Sequence, residues 1–428
     1  MNLIGKVIAA AAALFTLAPP GGAFAAIEGV TGTTFNLVAG EAHISTADGN
    51  SVYVWGYGLA GKPTQLPAPT IIVEQGDTVT VTLRNTLPEP VSIVFPGQTG
   101  VSASGGQAGT VTREAPPGGE VTYSFIATHP GTYLYHSGSH ADVQVEMGLA
   151  GALIVRPEGF DPANPTAYGH PDSAYDHEYL FVLSEMDPRI HEAVYDGRMG
   201  DVDTTGYFPV YWLLNGRTAP DTLSAAFTPL LPHQPYNSLP RMRPGEKLLM
   251  RVIGAGRDLH PFHHHGNHAL LIARDGRLLS SAAGAGADLS FADFTVQTVP
   301  GATYDAIFEW TGAGLGWDVY GHGADGSDPG PCLVESGEDC QAHGRPFPVQ
   351  LPSNQELTFG GHYSGSPFLG AMGSLPPGEG GLNMNGGLFY MWHSHNEKEM
   401  TNYDVFPGGM MTMLIVEPPW VDIGHVSH

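Results

Sequence analysis

Gly387-Leu388-Phe389-Tyr390-Met391-Trp392-His393-Ser394, running on to Gly409-Met410-Met411-Thr412-Met413-Leu414-Ile415-Val416, repeats a pattern met earlier in the chain. The first copy is Gly131-Thr132-Tyr133-Leu134-Tyr135-His136-Ser137, followed by Gly148-Leu149-Ala150-Gly151-Ala152-Leu153-Ile154-Val155. Each block opens on Gly, runs through large apolar side chains and closes on His-Ser, which reads as a buried strand with a chemically distinct end. Upstream in each copy, a Gly76-Asp77 or Gly245-Glu246 turn and a strand precede a segment ending at Gly97 or Gly266. A repeat on this scale predicts two copies of one sandwich.

Composition agrees with that reading. With 58 Gly, 36 Pro and only 14% charged residues, the chain has many turns and few long helices, and the expected class is all-β. Its 428 residues suffice for two domains. Strands are expected over 34–54, 70–85 and 120–127, then over 178–184, 210–216 and within 239–253. In 78–83 the alternation Thr-Val-Thr-Val-Thr-Leu marks a half-buried strand. The expected division is a signal peptide at 1–25, a first domain at 26–157, a Pro/Asp/His-rich linker at 158–177 and a second domain at 178–428. A long Gly/Pro-rich insertion occupies about 323–386 of the second domain.

One early Lys, a short apolar run and Ala23-Phe24-Ala25 form an export signal cleaved near Ala25. No stretch is long enough to span a membrane, so a periplasmic or secreted protein is expected. Cys332 and Cys340, close together in an oxidising compartment, are expected to form a disulfide. Acidic residues outnumber basic ones 42 to 17, which disfavours nucleic acid and anionic lipid and favours cationic partners, metal ions among them.

The chemistry lies in His260-Pro261-Phe262-His263-His264-His265-Gly266-Asn267-His268 and in His393-Ser394-His395. On a strand, residues at i and i+2 share a face about 7 Å apart, so each H-x-H pair can flank a metal. A lone histidine is more often a hydrogen-bonded core residue, but two such pairs point to a metal site. Neutral imidazole suits copper, zinc, nickel and iron alike.

His260-Pro-Phe-His263-x-His265-Gly with His393-x-His395 resembles the copper motifs in the last domain of the multicopper oxidases, a family of linked cupredoxin sandwiches. The resemblance covers both units, with the stronger motifs in the second. It implies that His263, His265, His393 and His395 bind type 2 and type 3 copper, that His136 completes the site, and that His260 occupies a ligand position of the blue, type 1 copper. Ser394 stands in the slot of the blue-copper Cys, and the next type 1 histidine slot falls on Glu399, or on Met400 if the register slips. Val94 and Pro96 replace the H-x-H pair in the first unit, and thiolate is what makes a copper site blue. A blue centre and an intact trinuclear cluster are therefore not expected. His140, His260, His268 and His322 are the remaining metal candidates. Met411 and Met413 are expected in the core, and Glu397 is either an acid or base beside the metal or a solvated residue.

Two cupredoxin-like Greek-key sandwiches are thus expected, carrying a reduced copper site. The functional expectation is a copper-dependent oxidoreductase acting on a small molecule or metal ion, with dioxygen as a candidate oxidant and a homotrimer as a candidate assembly. The alternatives are a non-catalytic copper-binding protein for buffering or resistance and, behind it, a zinc-bound or metal-free structural module.

Overall fold

A computed structural model describes residues 27–323, 327, 329–346 and 383–423. The signal segment, and residues 324–326, 328 and 347–382 of the insertion, lie outside the described residues. The main strands of the first half are β1 (Thr34–Ser45), β2 (Ser51–Leu59), β3 (Ala68–Glu74), β4 (Thr78–Asn85), β5 (Glu120–Ile126), β6 (Gly131–His136) and β7 (Ala150–Arg156). In the second half they are β8 (His177–Met186), β9 (Tyr211–Leu214), β10 (Lys247–Gly254), β11 (His260–His264), β12 (Ala269–Arg274), β13 (Thr295–Thr298), β14 (Thr303–Glu309), β15 (Leu388–Ser394) and β16 (Met411–Val416).

Two of the long expected strands are broken by turns. Residues 34–54 divide at a turn in which Gly49 takes a positive φ of 88°, and residues 70–85 divide at Gly76, φ 94°. A side chain is strained at such angles, whereas glycine adopts them freely. The helix Pro188–Tyr195 was not expected. Asp187 caps it by accepting from the Arg189 N–H, Pro188 stands at its first position, and Ile190 and Val194 dock on the first core.

In the first half, the sheet ordered β2-β1-β4-β5 faces the one ordered β3-β7-β6. Alternation in β4 turns Val79, Val81 and Leu83 inward against Tyr57, Tyr123 and Tyr135. In the second half, the order β9-β8-β10-β14-β12 faces β16-β15-β11-β13. Phe181, Phe262, Phe308 and Trp392 fill the space between these sheets.

The halves meet sheet to sheet. Ile72, Leu134 and Ile154 pack on Leu180, Val182 and Ile253. Beside this apolar contact lies a buried ion network. Arg156 grips Glu178 through two bonds, at 2.5 and 2.6 Å, and Arg251 reaches Glu178 at 2.5 Å and Asp305 at 3.5 Å. Thr132 of β6 hydrogen-bonds Asp305 of β14, tying one half to the other. Burial alone would raise the Glu178 carboxyl, but the two guanidinium groups overcome this and hold it at about 2. Its stabilising contribution is complete above the ordinary carboxyl value and is lost as pH falls toward about 2. Glu178→Ala strands two buried guanidinium groups and should lower the unfolding free energy by about 3–5 kcal/mol in a urea titration. A loss under about 1 kcal/mol would show that the network does not lock the halves together.

Candidate metal centre

β11 and β15 are antiparallel neighbours, with Phe262 opposite Ser394, His263 opposite His393 and His264 opposite Trp392. Successive side chains on a strand point to opposite faces. Phe262, His264 and Trp392 therefore enter the core, each no more than 1% exposed, while His263 and His393 share the other face. Pairing continues past the strand ends. The His265 N–H donates to Met391 O, the His395 N–H to Pro261 O and the Trp392 indole N–H to His265 O. These bonds hold the second member of each H-x-H pair beside the first.

The four rings come together. His263 lies 4.8 Å from His265, 5.4 Å from His393 and 4.9 Å from His395, measured between ring centroids. Ligand nitrogens of His263, His265 and His393 fall within 4.8 Å of one another, and Nε2 of His265 is 3.3 Å from Nε2 of His393. His395, whose side chain is 55% exposed, forms the open edge. Nδ1 of His393 is 2.7 Å from Ser394 O. A carbonyl only accepts, so Nδ1 carries the proton and Nε2 turns its lone pair to the cluster. Thr295 on β13 holds Nδ1 of His263 at 2.8 Å. Fixing one ring nitrogen to aim the other is how proteins orient metal-binding histidines.

Burial, followed by the charges that neighbouring imidazoles would carry, lowers His263 and His265 from 6.5 to about 4, and His393 falls for the same reasons. All three are neutral at pH 7, the form a metal requires. The sign is that of depressed histidines: the metal-free fold loses stability as pH falls from about 6.5 toward about 4.

The opposite face of β11 carries a different cluster. His260, fully buried, has Nδ1 at 2.9 Å from Glu399 and Nε2 at 2.8 Å from Glu185. Ser394 Oγ donates to the same Glu399 oxygen at 2.6 Å. Backbone N–H groups of Arg257 and Asp258 brace Glu185. Burial opposes a charge on His260, but the two carboxylates overcome it and raise the imidazole to about 9. Facing acceptors on both sides, it is an imidazolium. The slots of the blue-copper ligands, His260, Ser394 and Glu399, thus meet around protons. With no thiolate and both His260 nitrogens protonated, they do not fit a blue copper.

The other candidates lie elsewhere. His136 ends β6, bridges Val94 and places Nδ1 2.9 Å from Ser137 O, the arrangement of His393 in the other half. Among the described residues, its ring nitrogens do not join a group of converging ligand atoms. His140, 49% exposed, lies 3.5 Å from Glu89, and His268 packs edge-on against Phe294. His322 belongs to a separate group with Asp318, Glu338 and His343. The core expectation for Met411 and Met413 is corrected. Thr412 and Leu414 take the buried face, and Met411 pairs with His393 on the histidine face. Glu397, 79% exposed, is 3.6 Å from His395. Sequence reasoning missed Thr295 and Glu185, which carry no motif and reach their histidines only through sheet pairing and packing.

The sequence family described as multicopper oxidase matches residues 40–159. Relatives and solved structures point to the same multicopper oxidase superfamily, which the chain resembles. The family match falls on the first half, where Val94 and Pro96 stand in place of the histidine pair. Copper resistance protein A of Pseudomonas syringae pv. tomato is 26% identical over 285 residues, 60% of this chain and 44% of that protein. The iron transport multicopper oxidase fetC of Epichloe festucae is 40% identical over 106 residues, 24% of this chain and 16% of that one. The chain spans less than half the length of these curated relatives. Among solved structures, the blue copper oxidase of Nitrosomonas europaea shares the fold at TM-score 0.56 and 21% identity, over 89% of this chain and 85% of that one. These neighbours make the sandwiches cupredoxin-like.

Copper fits the His263 face, which offers neutral imidazoles whose ligand nitrogens converge. The His260 face instead predicts a stability effect. His260→Ala leaves two buried carboxylates unpaired and should lower the unfolding free energy by about 3–5 kcal/mol at pH 7. As a raised histidine, His260 contributes fully below about 6.5 and loses its contribution as pH rises through about 9. The difference between wild type and variant should therefore shrink at alkaline pH, and a difference that stays flat would contradict the imidazolium.

Proposed function

We propose that the protein is an exported copper-dependent oxidoreductase. In this reading His263, His265, His393 and His395 hold the copper, no blue centre feeds it, and the chain divides at 158–177 into its two cupredoxin-like units. The observation that carries the reading is the convergence of four imidazole rings on one face of two paired strands. When bound, copper would supply one-electron exchange between a small-molecule or metal-ion donor and an acceptor such as dioxygen.

The chain's own residues set the terms of that exchange. Thr295 and the Ser394 carbonyl lock ring orientation, so little reorganisation is needed to receive the ion. The exposed edge at His395 gives a donor direct access to the ligand set. The His260 imidazolium, held by Glu185 and Glu399, fills the place of an electron-entry metal, so a donor must deliver its electrons to the outer face. A homotrimer is the assembly we favour. His136 stands apart within one chain yet repeats the tautomer-fixing contact of His393, and a second copy's first half would bring it to the cluster. Export is supported by the sequence of the first 25 residues and by the disulfide between Cys332 and Cys340.

Copper content and oxygen consumption with a phenol, a metal ion or Cu(I) test the reading together. Wild type should bind copper without an intense blue band and consume oxygen, and His263→Ala and His393→Ala should each lower copper affinity at least tenfold. Unchanged copper in both variants sinks the site. Copper bound at these histidines with no oxygen uptake supports instead a copper-buffering role, a reading that the similarity to copper resistance protein A keeps in play.

A further inference from the structure

A second group of metal-binding side chains lies outside the histidine face. Asp318, His322, Glu338 and His343 bring one ligand atom each to within 4.8 Å of one another, in the loop that the Cys332–Cys340 disulfide cross-links. Both carboxylates are buried, with side chains 0% and 3% exposed. Each is fixed by the backbone. The Tyr320 and Gly344 N–H groups donate to Asp318, at 2.9 Å each, and the Leu333 N–H donates to Glu338 at 2.5 Å. Two buried acids held this rigidly need a positive charge between them.

The imidazoles face that charge in a particular way. Nε2 of His343 is 3.2 Å from Gly330 O, a carbonyl that can only accept, so Nε2 carries a proton, and Nδ1 donates to Glu338 Oε1 at 2.6 Å, a proton that an ion would replace. This is the arrangement in which a ligating histidine donates its far N–H to a backbone carbonyl. Nδ1 of His322 is buried with no hydrogen-bond partner, yet it stands 3.6 Å from Asp318 Oδ2 and 3.6 Å from Glu338 Oε1. That is too long for a hydrogen bond and suits two ligands of one ion. The four measured nitrogen–oxygen edges are 2.6, 3.6, 3.6 and 3.8 Å. A tetrahedral zinc ion with bonds of about 2.0–2.1 Å separates its ligands by roughly 3.3 Å, so a small adjustment at His343 closes the shell.

We propose that Asp318, His322, Glu338 and His343 form a structural zinc site, closed by four protein ligands and separate from the copper face. Residues 311–346 contain no β-strand among the described residues, and the segment packs few apolar side chains into the second core. Zinc and the disulfide together hold it: one ties His322 and Asp318 to Glu338 and His343, and the other closes the chain on either side of Glu338. A closed set of two imidazoles and two carboxylates leaves no position for a substrate, so the ion is structural.

The test uses the full-length protein, stripped with a chelator and titrated with zinc. One zinc per chain is expected, with nitrogen and oxygen neighbours and no sulfur in the zinc-edge X-ray absorption spectrum. The ion should persist in a His263→Ala/His393→Ala variant, which separates this site from the copper reading. Glu338→Gln keeps the acceptor for Leu333, and His322 is the most exposed of the four; each of Glu338→Gln and His322→Ala should weaken zinc at least tenfold. Zinc should also raise the melting temperature of wild type and leave that of His322→Ala unmoved. Failure to bind zinc, unchanged zinc in both ligand variants, or copper held at these residues in preference to zinc each overturns the assignment. The first outcome would leave the cluster as a His343–Glu338 ion pair only.

Discussion

The register of β11 against β15 is the constraint on which the site depends. Because His263 stands opposite His393, alternation sends every second residue of both strands to one face, and the H-x-H spacing places all four imidazoles there. A slip of one residue would bury the histidines and expose Phe262 and Trp392. The packing of those two aromatics with Phe181 and Phe308 in the second core is what forbids the slip. The energy that positions the four histidines is therefore hydrophobic, and it acts from the reverse side of the same strands.

That reverse side also shows what fills the space around Ser394, where no thiolate stands. A buried polar cavity left by lost metal ligands would cost several kcal/mol unless its groups were paired. Here Glu399 accepts from both Ser394 and His260, and Glu185 from β8 supplies the second carboxylate to His260. An imidazolium between two carboxylates takes the place of a cation held by a thiolate and imidazoles. The imidazolium and the two carboxylates pair with one another and leave one net negative charge.

Much of this was legible in the sequence because strands carry a period of two. The H-x-H pairs, the repeat that pairs His136 with His393, and the alignment of Val94 with His263 all follow from it. The backbone bridge between Val94 and His136 mirrors the pair His263–His393. The phase of β16 was read the wrong way, since Met-Met-Thr-Met offers apolar side chains on both faces and only pairing with β15 decides between them. Glu185, Thr295 and the Asp318 group were not legible. Glu185 and Thr295 reach their histidines across sequence separations that no local pattern encodes, and His322 was expected near the copper only because it follows Trp317, where the family's strand heads for the metal.

Copper-edge X-ray absorption of the copper-loaded protein tests the central claim, that the histidine face and not the His260 face holds the metal. The account predicts nitrogen scatterers with the multiple-scattering signature of imidazole and no sulfur neighbour, with the spectrum unchanged in Ser394→Ala. A sulfur shell, or a spectrum altered by the loss of the Ser394 hydroxyl, would place the copper on the inner face and contradict it.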